Sequence, residues 1–183
     1  RLWGDGSVWT SRLNTGINRG YQNGMLRDGR LARWTGASGP MIYRGDQFPA
    51  ALLGDAFIPE PCGNMIRLQK LTWKDGRPSG TNAYDKAEWL TSIDERFRPV
   101  SLYNGPDGCV YIVDMYRGIL QHKHYVTTFL RKQIIDRKLD KHIGLGRIYR
   151  VVHTGRKPQA APKMSEQGYE QLIGHLESGN GWR

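Results

Sequence analysis

Short apolar runs alternate with polar residues along the first 115 positions, and most follow a Gly-Asp or Asp-Gly pair. The theme occurs as GDGSVW (4 to 9), RDGRLARW (27 to 34) and PDGCVYIVD (106 to 114), with the variant LGDAFIPEP (53 to 61). Asp-Gly supplies the positive φ of a tight turn, and Val, Ile, Tyr, Phe and Trp alternating after it are the strand signal. Residues 1 to 115 are therefore expected to be mostly antiparallel β. WKDGRPSGTNAYDK (73 to 86) reads instead as a plain polar loop. In DERFRPVSLYNGPDGCVYIVDMYRG (94 to 118), the pattern predicts strand, turn and strand, with Arg96 and Arg98 at the start of the first. A strand's side-chain period of two would put both arginines on one face and Phe97 on the other.

A longer echo joins GDAFIPEPCGNMIRLQ (54 to 69) to DGCVYIVDMYRG (107 to 118) continued by GRIYRVV (146 to 152). Each gives a turn, an apolar strand, a reversal and an outgoing strand that carries an arginine. A unit repeating at roughly 40 to 50 residues suits a four-stranded propeller blade. Residues 119 to 145 interrupt the second copy. Val126, Phe129, Leu130 and Ile134 lie at helical spacing, which predicts a helix near 125 to 139 inserted into a blade hairpin. Such an insertion lies on one face, where it can cover or build a site.

After Val152 the Pro-, Ala- and Lys-rich stretch 154 to 164 reads as a linker. Ser165 is placed to cap a helix carrying Tyr169, Leu172, Ile173 and Leu176 over residues 165 to 183. One amphipathic helix buries little alone, so it is expected to open a second, helical domain. The chain begins at Arg1, not at a methionine, and reads as a piece of something longer.

The formal net charge of +10 implies anionic company or plain solubility, and the excess thickens between Arg117 and Lys157. No apolar run approaches membrane-spanning length. The six tryptophans form no stripe with basic residues, which argues against a nucleic-acid groove. Cys62 and Cys109 belong to no metal or haem pattern; they are either a single disulfide or, for Cys109, a buried thiol.

Among candidate sites, a same-face Arg96 and Arg98 pair would grip a carboxylate or phosphate, unless both pair on the surface with Asp94 and Glu95. His122 and His124 have two imidazoles but no partner at zinc spacing, so a metal there competes with an ordinary loop. Arg-Gly-Asp at 44 to 46 suits a β-turn. NRGYQNGM (18 to 25) is dense in turn formers and hydrogen bonders, and is either a functional loop or a connector.

ASGPMIYRGDQFPAALLGDAFIPEP, RFRPVSLYNGPDGCVYIVDMYRG and GRIYRV together resemble the closing blades of the sugar-dehydrogenase propellers that use pyrroloquinoline quinone. NRGYQNGMLRDGRLA, DMYRGILQHK and LDKHIGLGRIYRV are similar to a bacterial branch named membrane-bound dehydrogenase proteins, over residues 14 to 153. The resemblance implies an all-β fold over residues 1 to 153: the C-terminal blades of a six-bladed propeller, followed by the start of an α-helical, HEAT-like repeat domain. It further implies a secreted or periplasmic quinone-dependent sugar or polyol dehydrogenase that passes electrons to a c-type cytochrome. Arg96, Arg98 and Thr35 fall where that family contacts its quinone. The catalytic histidine, the calcium ligands and the haem would lie outside this chain. Two departures count against the activity: the expected lysine after IPEP is missing from residues 61 to 64, and Pro99 replaces an Asp. The rival expectation is a non-catalytic platform for acidic polysaccharide or for a partner haem domain, contacted through residues 117 to 157.

Overall fold

The structure, a computed structural model, describes residues 6–13 and 16–183. Gly4 and Asp5 of the first Asp-Gly turn lie outside the described residues. The first sheet is a small hairpin of β1 (Leu26–Arg27) and β2 (Arg30–Leu31), to which Ser7 adds a bridge with Arg33. Asp28 and Gly29 both have positive φ, 51° and 73°, as a two-residue hairpin turn requires.

The second sheet is antiparallel: β3 (Met41–Ile42), β4 (Ala56–Glu60), β5 (Met65–Lys74) and β6 (Arg77–Asn82) pair in that order. A short β7 (Leu90–Thr91) pairs with the first residues of β5. β6 corrects the reading of 73 to 86 as a loop. Asp75 and Gly76, at φ 51° and 71°, reverse the chain, and Gln69 through Lys74 pair with Asn82 back to Arg77. β6 is RPSGTN, with little strand propensity of its own, so backbone pairing to β5 holds it in place.

The third sheet has β8 (Pro99–Asn104), β9 (Val110–Asp114) and β10 (Arg147–Val151) in the order β10-β9-β8. Between β9 and β10 the chain makes an excursion that contains α1 (Thr128–Arg137). Thr127 caps it by accepting from the Leu130 amide, and Lys138 ends it in a left-handed conformation. The described residues are thus mostly β, in three sheets, none closed into a barrel. The second and third sheets both contribute to the main core of Tyr43, Phe57, Ile66, Leu68, Phe97, Leu102 and Ile112. A smaller cluster of Val8, Ile17, Leu31 and Met65 ties the first hairpin to the second sheet.

The hairpin turn between β8 and β9 shows why its sequence was legible. Gly108 has φ +79°, and a Cβ there would lie 2.0 Å from Asp46 Oδ1. The buried Tyr43 hydroxyl donates to the Gly108 carbonyl at 2.9 Å and accepts from the amides of Gln47 and Phe48. Asp107 accepts from the Cys109 amide and the Tyr111 hydroxyl, and pairs with Arg150 at 2.6 Å. Burial raises its pKa, but the Cys109 amide, Tyr111 and Arg150 together outweigh burial and hold it below the ordinary carboxylate value. The stabilisation is complete above the unfolded value of about 3.8 and is lost as pH falls through the lower folded value. Thermal melts from pH 6 to pH 2 are therefore expected to fall more steeply for the wild type than for Asp107→Asn.

The C-terminal segment differs from the expected long helix. Gly168 rather than Ser165 precedes α2 (Tyr169–Gly174), which is six residues long and gives way to a 3-10 turn over His175–Glu177. No helical repeat domain is seen among the described residues. The stretch after β10 is bound to the sheets: Gln47 bonds to His153 and Arg156, Gln159 donates to Asp46, and buried Asn180 donates to the Gly105 and Pro106 carbonyls. Among the described residues, no helix is long and apolar enough to cross a membrane.

Candidate functional site

Glu60 ends β4 between two prolines, fully buried. Its carboxylate accepts from the Thr35 amide (2.9 Å), the Thr35 hydroxyl (2.7 Å), the Gly36 amide (2.9 Å) and the Cys62 amide (3.1 Å). Four donors on one carboxylate satisfy it without a cation. They also fix two loops, residues 35 to 36 and the β4–β5 turn, against each other.

On the open side of this knot lies a cleft of 490 Å³ lined by Thr35, Cys62, Asn18, Arg19, Gln22 and Gln121, with Ile17, Met25 and Trp34 as its apolar part. The 18 to 25 loop, one of two readings for that stretch, is thus brought to Thr35. Asn18 is anchored from the far side: its amide donates to the Tyr125 carbonyl at 2.9 Å, its side-chain oxygen accepts from the Thr127 amide, and the Thr127 hydroxyl donates to its carbonyl. The excursion bearing α1 thus braces Asn18 from behind and contributes Gln121 to the cleft lining. Arg19 and Thr35 are exposed, so both are accessible to a ligand.

Arg96 and Arg98 do not begin a strand. Residues 95 and 96 form a turn, β8 starts at Pro99, and the side-chain alternation expected from strand geometry does not operate. Arg98 is turned inward and 3 % exposed. Its guanidinium donates to the carbonyls of Arg117 (2.8 Å), Pro61 (2.8 Å), Cys62 (3.4 Å) and Gly118 (2.9 Å). Burial pushes its pKa down, with Cys62, Glu95, Glu60 and Asp114 opposing. Asp114 accepts from the Arg98 and Tyr116 amides, which holds the backbone on either side. Arg96 is half-buried and donates to the Lys138 carbonyl at 3.3 Å. Neither arginine lines the cleft, and Arg98 stands behind its Cys62 wall.

Cys62 and Cys109 are free thiols. Burial, with Glu60, raises the Cys62 pKa against the opposing effect of Thr35 and Arg98, so the thiol is protonated at neutral pH and is a poor nucleophile. His122 and His124 stack at 4.9 Å around a short 3-10 turn, and no group of three or more metal-ligating side chains occurs among the described residues. A second polar knot lies below the 95 to 96 turn. Arg12 donates to the Asn64 side chain at 2.9 Å, Asn64 donates to the Phe97 carbonyl, and Arg137 pairs with Glu95. Burial lowers the Arg12 pKa to about 10, against the attraction of Glu95.

Sequence reasoning missed Glu60, Cys62 and Gln121. The available signal was a carboxylate set between two prolines in an otherwise apolar strand, since a buried charge there must meet several donors. The family described as a domain of unknown function, DUF7133, matches residues 8–155. No curated protein and no solved structure matches the chain.

Proposed function

We propose, from the premise that the chain belongs to the DUF7133 family, that it is the ligand-binding part of a quinone-dependent sugar or polyol dehydrogenase. In this reading the second and third sheets are blades of a β-propeller, the protein works in the periplasm or outside the cell, and a c-type cytochrome takes the electrons. One observation carries it: Thr35, the threonine that the family resemblance assigns to the cofactor, lines a cleft that also presents the Arg19 guanidinium and the side-chain amides of Gln22 and Gln121. That donor set fits a carboxylated ring at one end and hydroxyl or carbonyl oxygens along the rest.

Pyrroloquinoline quinone bound there would supply the two-electron acceptor for an alcohol. The chain's own residues bind and orient: Arg19 takes a carboxylate, Thr35 accepts a hydrogen bond while its proton is held by Glu60, and Arg98 holds the Cys62 wall. None of these is a base for the substrate proton, which falls to residues beyond this chain.

The test is calorimetric titration of pyrroloquinoline quinone, with calcium, into the chain and into Arg19→Gln. Saturable binding that weakens roughly tenfold in the variant is expected for a single charge-assisted contact. A folded chain that binds no quinone overturns the reading.

The second reading, a non-catalytic platform for acidic polysaccharide or for a partner haem domain, is favoured by one observation. Arg98 is wholly engaged with carbonyls of its own chain, whereas Arg117, Lys123, Arg131, Lys132, Lys138 and Lys141 stand exposed on the 117 to 157 stretch. Contact through those residues would weaken steeply with salt.

A further inference from the structure

Two adjoining clefts outside the Thr35 cleft share Trp9 and Lys86 as their common ridge. The first, of 350 Å³, lies between residues 9 to 11, the β1–β2 hairpin and the segment before β7, and includes Arg27, Arg30, Ser11 and Thr91. The second, of 450 Å³, opens over β5 and β6 and includes Thr81, Asn82, Tyr84 and Asp85. Each is of ligand size, and none of their residues belongs to the Thr35 cleft.

The ridge is rigid from below. Arg67 and Glu88 are buried, 3 % and 0 % exposed at the side chain, and form a two-pronged pair at 2.5 and 2.9 Å. Arg67 faces the second cleft and Glu88 the first. Glu88 also accepts from the Trp9 amide at 3.0 Å, and Arg67 donates to the Ser7 carbonyl at 2.7 Å, so the pair fixes the segment that presents the indole. Arg27 lies over the Trp9 ring with its guanidinium carbon 3.8 Å from the centroid and donates to the Val8 carbonyl. The far side is equally set. Asn82 donates to the Ala87 carbonyl and accepts from the Tyr84 amide, and Lys86 takes a left-handed φ of 48°.

The lining is a set of hydroxyl and amide groups around aromatic rings, the chemistry that meets the alternating hydroxyls and apolar faces of a sugar ring. Arg67 and Glu88 neutralise each other, and Arg27, Arg30 and Lys86 exceed Asp28 and Asp85 by one. The cations gather in the first cleft and on the ridge. We propose that the two clefts form one groove for an acidic oligosaccharide, with a uronic acid carboxylate toward Arg30 and Lys86 and a neighbouring ring over the Tyr84 and Asn82 side. The groove stands independently of the quinone reading, since it uses other residues.

The probe is trigalacturonate, titrated into the chain by calorimetry, with neutral galactotriose as comparison. Arg30 and Lys86 are exposed, so Arg30→Gln/Lys86→Gln should fold as the wild type does. Saturable binding of trigalacturonate, at least roughly tenfold weaker in that double variant and weaker with added salt, is the expected result. Arg19→Gln and Lys132→Gln/Lys141→Gln should leave it unchanged. Equal binding by the Arg30/Lys86 double variant, equal binding of galactotriose, or loss of binding in Arg19→Gln or Lys132→Gln/Lys141→Gln each overturns the proposal, as does absence of saturation by trigalacturonate.

Discussion

Arg98→Ala is expected to destabilise the chain by about 3–5 kcal/mol, the range for removing a buried, fully engaged charged group. The guanidinium satisfies four carbonyls from two segments far apart in sequence, residues 61 to 62 and 117 to 118. Alanine would leave those carbonyls without a donor in a space closed to water, and would leave a hole behind the Cys62 turn. Arg98→Lys should recover little of the loss, because an ammonium on a flexible stem cannot reproduce a planar fork aimed in three directions. Urea unfolding followed by far-UV circular dichroism checks this: the midpoint should drop with the slope unchanged. A loss below about 1 kcal/mol, the size of an exposed contact, would show that the network does not form in solution. The same result would restore Arg98 as a group free to meet a ligand, so this measurement also weighs on the quinone reading.

Glu60→Ala is expected to cost about 3–4 kcal/mol and to open the Thr35 cleft, since one carboxylate receives the amides of Thr35, Gly36 and Cys62 and the Thr35 hydroxyl. Glu60→Gln separates shape from charge. It keeps the volume but replaces one accepting oxygen with an NH₂ that faces donors, so the loss should be smaller, about 2 kcal/mol, but real. Amide hydrogen exchange reads the local effect: the amides of residues 35, 36 and 62 should lose protection together in both variants, before the core strands do. If they exchange independently, the two loops are not joined through Glu60, and the cleft is not a preformed site.

The residues Asp28-Gly29, Gly54-Asp55 and Pro106-Asp107-Gly108 announced their turns because positive φ and side-chain capping are local matters that one residue or its neighbour decides. The apolar runs AFIPE and VYIVD announced buried strands because moving apolar side chains out of water is likewise decided residue by residue. The helix expected near 125 to 139 runs Thr128–Arg137, with Thr127 accepting from the Leu130 amide as its cap. By contrast, β6 was invisible as a strand although Asp75-Gly76 preceded it. RPSGTN has no pattern of its own, and only its ladder with Gln69 to Lys74 makes it one. Arg96 and Arg98 show the opposite failure. Their spacing suggested a shared face, but a turn at 95 to 96 breaks the period, and the direction of Arg98 is set by carbonyls at 61, 62, 117 and 118.

The candidate site divides the same way. Thr35 entered only through the family resemblance and the 18 to 25 loop only as one of two readings, and their meeting with Cys62 and Gln121 depends on contacts between segments up to 109 residues apart, which no local pattern encodes. The sequence by itself determined where the chain turns, which runs are buried and that the domain is mostly β, because those follow from backbone freedom and side-chain transfer to an apolar interior. Only the tertiary structure decided which polar groups face one another, because a buried donor or acceptor takes whichever partner the assembled fold brings within hydrogen-bond reach.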